Sequence, residues 1–285
     1  MNDIIEEKIK KDKIEQIGQS TVHHGHFSNR IFLLKYHPDD GATVIKKMNE
    51  LASENGYSKM IAKVPESAQP LFLIDGFVQE AFIPGYFNGD EDVFFMSKFL
   101  TEKRAETPEK QLKTLAKLLS EPPSENDQEL PEKFTLEMTR PEHAKDMTKI
   151  FKEVFATYPF PVTDPSYLVE TMEDGSVVYF GVWQDGQLVG LSSAEVDKKN
   201  KNAEMTDFAV RPDFRGQKLA WYLLEKMEEE LKKMNYKTLY TIARLNSPGM
   251  NRTFINHGYN FSGTLINNTN ISGQIESMNV YYKTI

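Results

Sequence analysis

Cysteine is absent from the 285 residues, which excludes disulfides, thiolate metal sites and cysteine nucleophiles. Long apolar runs are missing as well, since no segment approaches the ~18 residues that a membrane-spanning helix requires. The opening stretch MNDIIEEKIKKDKIEQ is too charged for a secretory signal. The expectation is a chain neither exported nor inserted, with the cytoplasm as its address. Basic residues are outnumbered, 34 against 42 acidic ones, leaving a formal net charge of −8. Phosphate-backbone binding needs a concentrated basic face, so this balance argues against a nucleic-acid partner and suits a cationic substrate. What is present is ordinary for packed cores: 39% hydrophobic and 11% aromatic residues, with 27% charged residues for the surface. At roughly 100 to 200 residues per domain, two domains are expected.

The stretch Ser120 to Glu132, SEPPSENDQELPE, has three prolines, five acidic residues and no apolar periodicity, and reads as a linker. It divides the chain into an N-terminal α/β domain (1–119), a linker (120–133) and a second domain (134–285). Gln111 to Leu119 reads as an amphipathic helix before the linker, and Phe134 to Met138 as a strand after it. Helix spacing follows over Pro141 to Phe155 until Pro159 and Pro161 break it. Strands are expected at Val177–Trp183 and Leu188–Val196, joined by a hairpin at Asp185-Gly186. A strand at Ala203–Val210 feeds a helix from about Lys218 to Lys233, with Leu219, Leu223, Met227, Leu231 and Met234 as its buried stripe. A strand at Thr238–Arg244, a helix at Gly249–His257 and a final strand pair complete a mixed α/β sheet. A shorter echo lies in the first half. Ala62-Lys63-Val64 with Gly76-Phe77 parallels Ala243-Arg244-Leu245 with Gly258-Tyr259, each set preceded by an amphipathic helix. The first domain is therefore expected to be a smaller, degenerate copy of the second.

The segment AEMTDFAVRPDFRGQKLAWYLL, Ala203 to Leu224, carries the chemistry. Its apolar positions Met205, Phe208 and Val210 change parity, although a strand alternates with period two. An extra residue must be accommodated near Thr206 and Asp207, and such a bulge leaves backbone groups free for a ligand. Strand, Arg211-Pro212, the loop RGQKLA and a long helix then aim successive amides and a positive helix end at one spot, a cradle for a diphosphate. Glu204 and Asp207, on or beside the bulge, are candidate bases for removing a proton from an amine. The histidines at 23, 24 and 26 have no carboxylate close by in sequence, and no metal site is expected from them.

The strand, V-x-P, R-G-x-x-x-A loop and helix resemble the acetyl-CoA motif of the GNAT acetyltransferase superfamily, and the resemblance spans 134–285. It implies that acetyl-CoA is the co-substrate and that Phe208, Ala209 and Val210 grip its pantetheine arm. It further implies that Arg215, Gly216, Gln217, Lys218, Leu219 and Ala220 hold the diphosphate and that Asn251 meets the CoA amide chain. Glu204 matches the position of the base in several relatives. Two positions depart from the pattern: Lys218 stands where glycine is usual, and Phe254 where many relatives carry a tyrosine acid. The tail GTLINNTNISGQIESMNVYYK, the triplet GMN at 249–251 and HHGHFSNRIFLLK from His23, similar to the family's opening strand, resemble bacterial and archaeal β-lysine N-acetyltransferases. That narrower resemblance implies N6-acetylation of β-lysine to a compatible solute. Glu195 and Glu276 would meet its ammonium groups, and Arg244 or Asn267 and Asn268 its carboxylate. The partner is then a small-molecule amine, with no nucleic acid, no membrane and a homodimer as the assembly to test. Rival readings are a peptide, protein or polyamine acetyltransferase and an inactive CoA-binding sensor.

Overall fold

In the computed structural model, residues 12–124, 128–156, 158, 160–271 and 273–285 are described. Pro159, the first eleven residues and the centre of the expected linker, 125–127, lie outside them.

Strand and helix periods alternate twice along the chain, and each round closes a sheet of its own. In the first round, β1 (Lys13–Ile17), β2 (Ser20–Gly25) and β3 (Arg30–Lys35) run antiparallel. Helix α1 (Gly41–Asn55) crosses over, and β4 (Lys59–Pro65) returns parallel to β3. Helix α2 (Gln69–Ile74) leads to the antiparallel pair β5 (Val78–Phe87) and β6 (Glu91–Phe99), giving the order β1-β2-β3-β4-β6-β5. Helices α3 (Glu102–Ala105) and α4 (Glu109–Ser120) follow. The second sheet adds β7 (Phe134–Met138), α5 (Ala144–Val154) and α6 (Pro165–Glu173) at its start. It then repeats the first sheet's succession. Strands β8 (Val177–Gln184), β9 (Gln187–Asp197) and β10 (Asn202–Val210) are antiparallel, α7 (Leu219–Lys233) crosses, and β11 (Thr238–Arg244) is parallel to β10. Helix α8 (Pro248–Asn256) and the pair β12 (Asn260–Ile271) and β13 (Gln274–Thr284) complete the order β12-β13-β11-β10-β9-β8-β7.

The internal echo is thus a repeat of topology, and its details agree. Both crossover helices have 15 residues and end in a left-handed residue, Gly56 at φ 63° and Asn235 at φ 64°. In each, the next tyrosine amide, of Tyr57 or Tyr236, closes onto the carbonyl five residues back, on Ala52 or Leu231. Gly76 and Gly258 end the second helices alike, and the aromatic amides after them reach Phe72 and Phe254 at 3.0 and 3.1 Å. The expected hairpin at Asp185-Gly186 is formed with both residues at positive φ, 51° and 75°, the geometry that matches strand twist. Two expectations need correction. The run from His23 is not one strand but the end of β2, a turn with Asn29 at φ 48°, and β3. Met234 lies just past the end of α7 and is 39% exposed, whereas Leu219, Leu223, Met227 and Leu231 are buried.

The layers run helix, sheet, sheet, helix. Helices α1 and α2 cover one face of the first sheet through Val44, Met48 and Phe72. Its other face packs on the second sheet, where Phe32, Ile61 and Phe95 meet Tyr240, Leu265 and Val280. Helix α7 covers the far face of the second sheet, and α5 with α6 cover its inner face over β8 to β10. The inner face of the second sheet is therefore shared between two covers, and the seam between them runs beside β10.

Candidate active site

Strands β10 and β11 pair only over Asn202–Glu204 with Thr238–Tyr240, then part. Beyond that point the facing backbone edges have no strand partner, and a cleft of about 730 Å³ opens between them. Its walls include Phe208, Val210, Thr241 and Phe254, and its mouth is the loop from Arg215 to Ala220. Gly216 is at φ 79° and Lys218 at φ 57°, so the residue standing where glycine is usual holds the backbone conformation that glycine favours. The amides of Gly216, Gln217, Leu219 and Ala220 take no acceptor among the described residues, and no side chain caps α7. Four N–H groups and a positive helix end thus face one place, which suits an anion such as a diphosphate. The Lys218 ammonium lies 3.4 Å from the Gln128 side chain and the Arg215 guanidinium 3.2 Å from the Val210 carbonyl, both at this mouth.

The register of β10 against β9 slips between Thr206 and Ala209, and Asp207 has φ 54°. The extra residue predicted from parity is therefore there, and its consequence is chemical. Ala203 and Met205 point toward α7, so strict alternation would send Asp207 into that core as well. The bulge instead turns Asp207 to the inner face, where Ser193 donates to it at 2.5 Å and the Tyr158 hydroxyl also donates to it. Glu204 lies on the same face and sits directly across from Glu195 of β9. Like charges facing each other across a pair of strands are unfavourable unless something cationic lies between them. Here Lys63 of β4 reaches over from the first sheet, its ammonium 5.2 Å from the ring of Tyr86 and 5.9 Å from that of Tyr240.

Burial sets the protonation of this group. Desolvation raises the pKa of Glu195, and the charges of Glu204 and Asp207 raise it further against the pull of Lys63. Glu204 is raised by desolvation, opposed by Lys63 and by the Tyr240 hydroxyl. Asp207 is raised by burial, which outweighs its bonds from Ser193 and Tyr158. Burial works against the charge on Lys63, yet Tyr86, Glu204 and Glu195 outweigh it and raise its pKa. Carboxylates moved toward neutrality are suited to proton transfer near physiological pH. Glu195 is exposed at the rim of the seam, which is open there, so solvent screens its rise and leaves it smaller than full burial would give.

The other sequence candidates divide. Phe208, Val210, Arg215, Gly216, Lys218, Leu219 and Ala220 line the cleft, and Gln217 lies in the same loop with its side chain held by Lys133. The Ala209 side chain points away, into the core under α5 and α6. Asn251 is fully buried and has no capacity left. Its amide donates to Arg244 and Ser247 carbonyls, and its oxygen accepts from Asn279 and Tyr281. It fixes the start of α8 rather than presenting a side chain to the cleft. Arg244 and Glu276, expected to meet opposite ends of a substrate, bind each other in a two-pronged pair at 2.7 and 2.9 Å. Asn267 is spent on the carbonyls of Arg104 and Glu106, while Asn268 is buried with its side-chain oxygen unpartnered. Phe254 packs against Phe208, Tyr259 and Tyr281, and the Tyr281 hydroxyl is held by Asn251. Tyr158, Ser193, Tyr240 and Lys63 were not singled out by sequence. Only the parity slip pointed toward their location.

Residues 144–259 match the acetyltransferase (GNAT) family. A β-lysine N(6)-acetyltransferase of Methanococcus maripaludis is 38% identical over 273 residues, 95% of this chain and 98% of that one. The N-acetyltransferase YodP of Bacillus subtilis is 31% identical over 272 residues, 93% and 96% of the two chains. A β-lysine N(6)-acetyltransferase of Methanosarcina mazei is 37% identical over 156 residues, 55% of this chain and 57% of that one. A splayed parallel pair, a bulged strand and an uncapped helix entry in one sheet, together with likeness along nearly the whole length, place this chain in the GNAT superfamily of acetyltransferases, closely related to the β-lysine N6-acetyltransferases.

Proposed function

We propose that the chain moves the acetyl group of acetyl-CoA to the N6 amine of β-lysine, 3,6-diaminohexanoate, giving Nε-acetyl-β-lysine. The observation that carries this reading is the pair Glu195 and Glu204, opposed across β9 and β10 beside Lys63 of the first sheet. With Asp207 the pair makes three carboxylates facing the single ammonium of Lys63, an excess that calls for a further cation, and an alkyl ammonium supplies one. That amine has a pKa near about 10.4 in water, so it must lose a proton before it can attack. Glu204 and Asp207 take that proton, directly or through water, their raised pKa values making them better bases than an ordinary carboxylate. The loop amides from Gly216 to Ala220 hold the diphosphate, and the unpaired edge of β10 at Ala209 and Val210 holds the pantetheine arm and polarises the thioester carbonyl. The nitrogen bonds to the acetyl carbon as the carbon–sulfur bond breaks. A thiol pKa near about 8.5 leaves the departing thiolate in little need of an acid, which suits a chain with phenylalanine at 254. Tyr158, whose hydroxyl lies in the cleft on Asp207, can return a proton.

Asp207 is buried and Glu204 half-buried, with Glu195 exposed at the rim, a depth that suits a small acceptor over a peptide, which needs an open groove. Thiol release from acetyl-CoA, measured with β-lysine, α-lysine, diamines and an amino-terminal peptide, tests the reading. Turnover is expected to be highest with β-lysine. Acetyl-CoA binding by calorimetry with no thiol release from any amine would overturn it in favour of a sensor.

A further inference from the structure

The inner face of the first sheet carries a buried cation that has no ion-pair partner among the described residues. Arg30, at the start of β3, is 5% exposed, and its Nε and Nη1 have no hydrogen-bond partner. Its guanidinium lies 5.1 Å from the ring of Phe32. The nearest anion, Asp12, is taken up by the amides of Phe27 and Ser28 and makes no ion pair with it. A buried guanidinium without a carboxylate is costly, and a protein that keeps one leaves a place for an anion. The surroundings are of the same kind. The Asn268 and Asn270 side-chain oxygens are also buried without partners, on the stretch of β12 that Ser28 and Phe27 contact. The Asn268 carboxamide turned end for end offers an N–H donor in the same position, whereas the Asn270 amide is held on the Phe27 carbonyl at 3.0 Å.

Chain and ring contacts link these groups to the acceptor end of the cleft. His23 pairs across β2 and β3 with Phe32, on the same face as Arg30, and its ring stacks on Phe160 at 5.7 Å. Phe160 is two residues from Tyr158, at most about 7 Å along the chain, and Tyr158 holds Asp207. On the other side Ile271, next to Asn270, lines the cleft itself. Burial and the neighbouring Arg30 lower the His23 pKa to about 4, so this ring is a neutral donor beside the guanidinium.

Resting on the amino-acid acceptor proposed above, we infer that Arg30 binds the carboxylate of that acceptor, with His23 and Asn268 around it, so that the first sheet reads the acid end of the substrate while the second reads the amine. The first sheet is on this account a specificity element. A diamine would leave Arg30 unpaired, and the penalty would fall on binding rather than on the chemical step.

The test sets β-lysine against 1,4-diaminopentane, the same diamine without its carboxylate, in the full chain. Wild type is expected to show the lower KM for β-lysine. Arg30→Met raises the KM for β-lysine at least about 30-fold, changes kcat little, and leaves the KM for 1,4-diaminopentane within about twofold. Equal changes for both amines, or none, would overturn the inference. Should Arg30→Met not fold, Arg30→Lys keeps the charge and loses the two-pronged geometry, and it must raise the KM for β-lysine alone by about tenfold. A wild type that acetylates neither amine would defeat the proposed reaction, and the pocket is then judged on binding. In that case 3-aminobutanoate, the acid end of β-lysine, must raise the wild-type Tm and not that of Arg30→Lys; equal shifts would sink the pocket too.

Discussion

The two sheets share one succession of strands and helices, yet only the second opens. In the first, β3 and β4 stay paired from Arg30 with Lys59 to Leu33 with Ala62, and β3 has no residue at positive φ. In the second, the equivalent strands part after Glu204 and Tyr240, and β10 carries a bulge. The charges differ as well. The first sheet turns His23, Arg30 and Lys63 toward the seam, beside a Lys59 already paired with Glu80, and the second turns Glu195, Glu204 and Asp207 toward it. Whether a parallel pair remains zipped decides between cleft and cover, and the sign of the residues on the shared face decides what each half reads.

That division can be broken by substitution. The largest effect is expected at the acidic face, where Glu204→Gln and Asp207→Asn each lower kcat/KM by about 100-fold or more while acetyl-CoA still binds by calorimetry. Two single variants with unchanged rates would remove both as bases. Next comes the pH profile. A base must be unprotonated to act, so kcat/KM climbs as pH rises through the raised carboxylate pKa values, and its acid limb lies above the ordinary carboxylate range. Lys63→Met withdraws the cation that holds Glu204 and Glu195 down. It therefore shifts that limb upward by roughly one pH unit without changing acetyl-CoA affinity. An unmoved limb would place Lys63 outside the acceptor site.

Smaller still is the effect on stability. Glu195 has its pKa raised in the folded protein, so the folded state binds its proton more tightly than the unfolded chain does. Stability then falls as pH rises above the ordinary carboxylate range, and Glu195→Gln removes that fall. Its Tm gain over wild type is expected to be greater at about pH 8 than at about pH 5. The smallest effect is at Lys218, where φ is 57°. Lys218→Gly relieves a left-handed backbone at a non-glycine residue and stabilises by at most about 1 kcal/mol in urea unfolding, the loss of its contact to Gln128 offsetting part.

Local signals were legible in the sequence. The Asp185-Gly186 turn, the strand from Thr238 to Arg244 and the parity slip at Thr206–Asp207 each follow from the order of neighbouring residues, and each is found. Pairings over long separation were not. Arg244 and Glu276 are 32 positions apart, and nothing in either neighbourhood says that they satisfy each other rather than a ligand. Lys63 is the sharpest case. It sits in a strand whose pattern reads as core, and only the packing of one sheet on the other brings it over Tyr240. Asn251 was legible as a position beside the cleft, but the four bonds that exhaust its side chain come from three other elements or loops.

Equivalent strands of the two halves, β5 and β12, touch where Ser262 bonds the backbone of Phe82 and the Ile266 amide donates to Glu80. Two identical subunits meeting this way would be obliged to present the same face to each other, acid to acid or base to base. Joining the units end to end lifts that obligation. Each half is free to take the opposite polarity, and a hollow between them can greet a zwitterion with a different hand at either end.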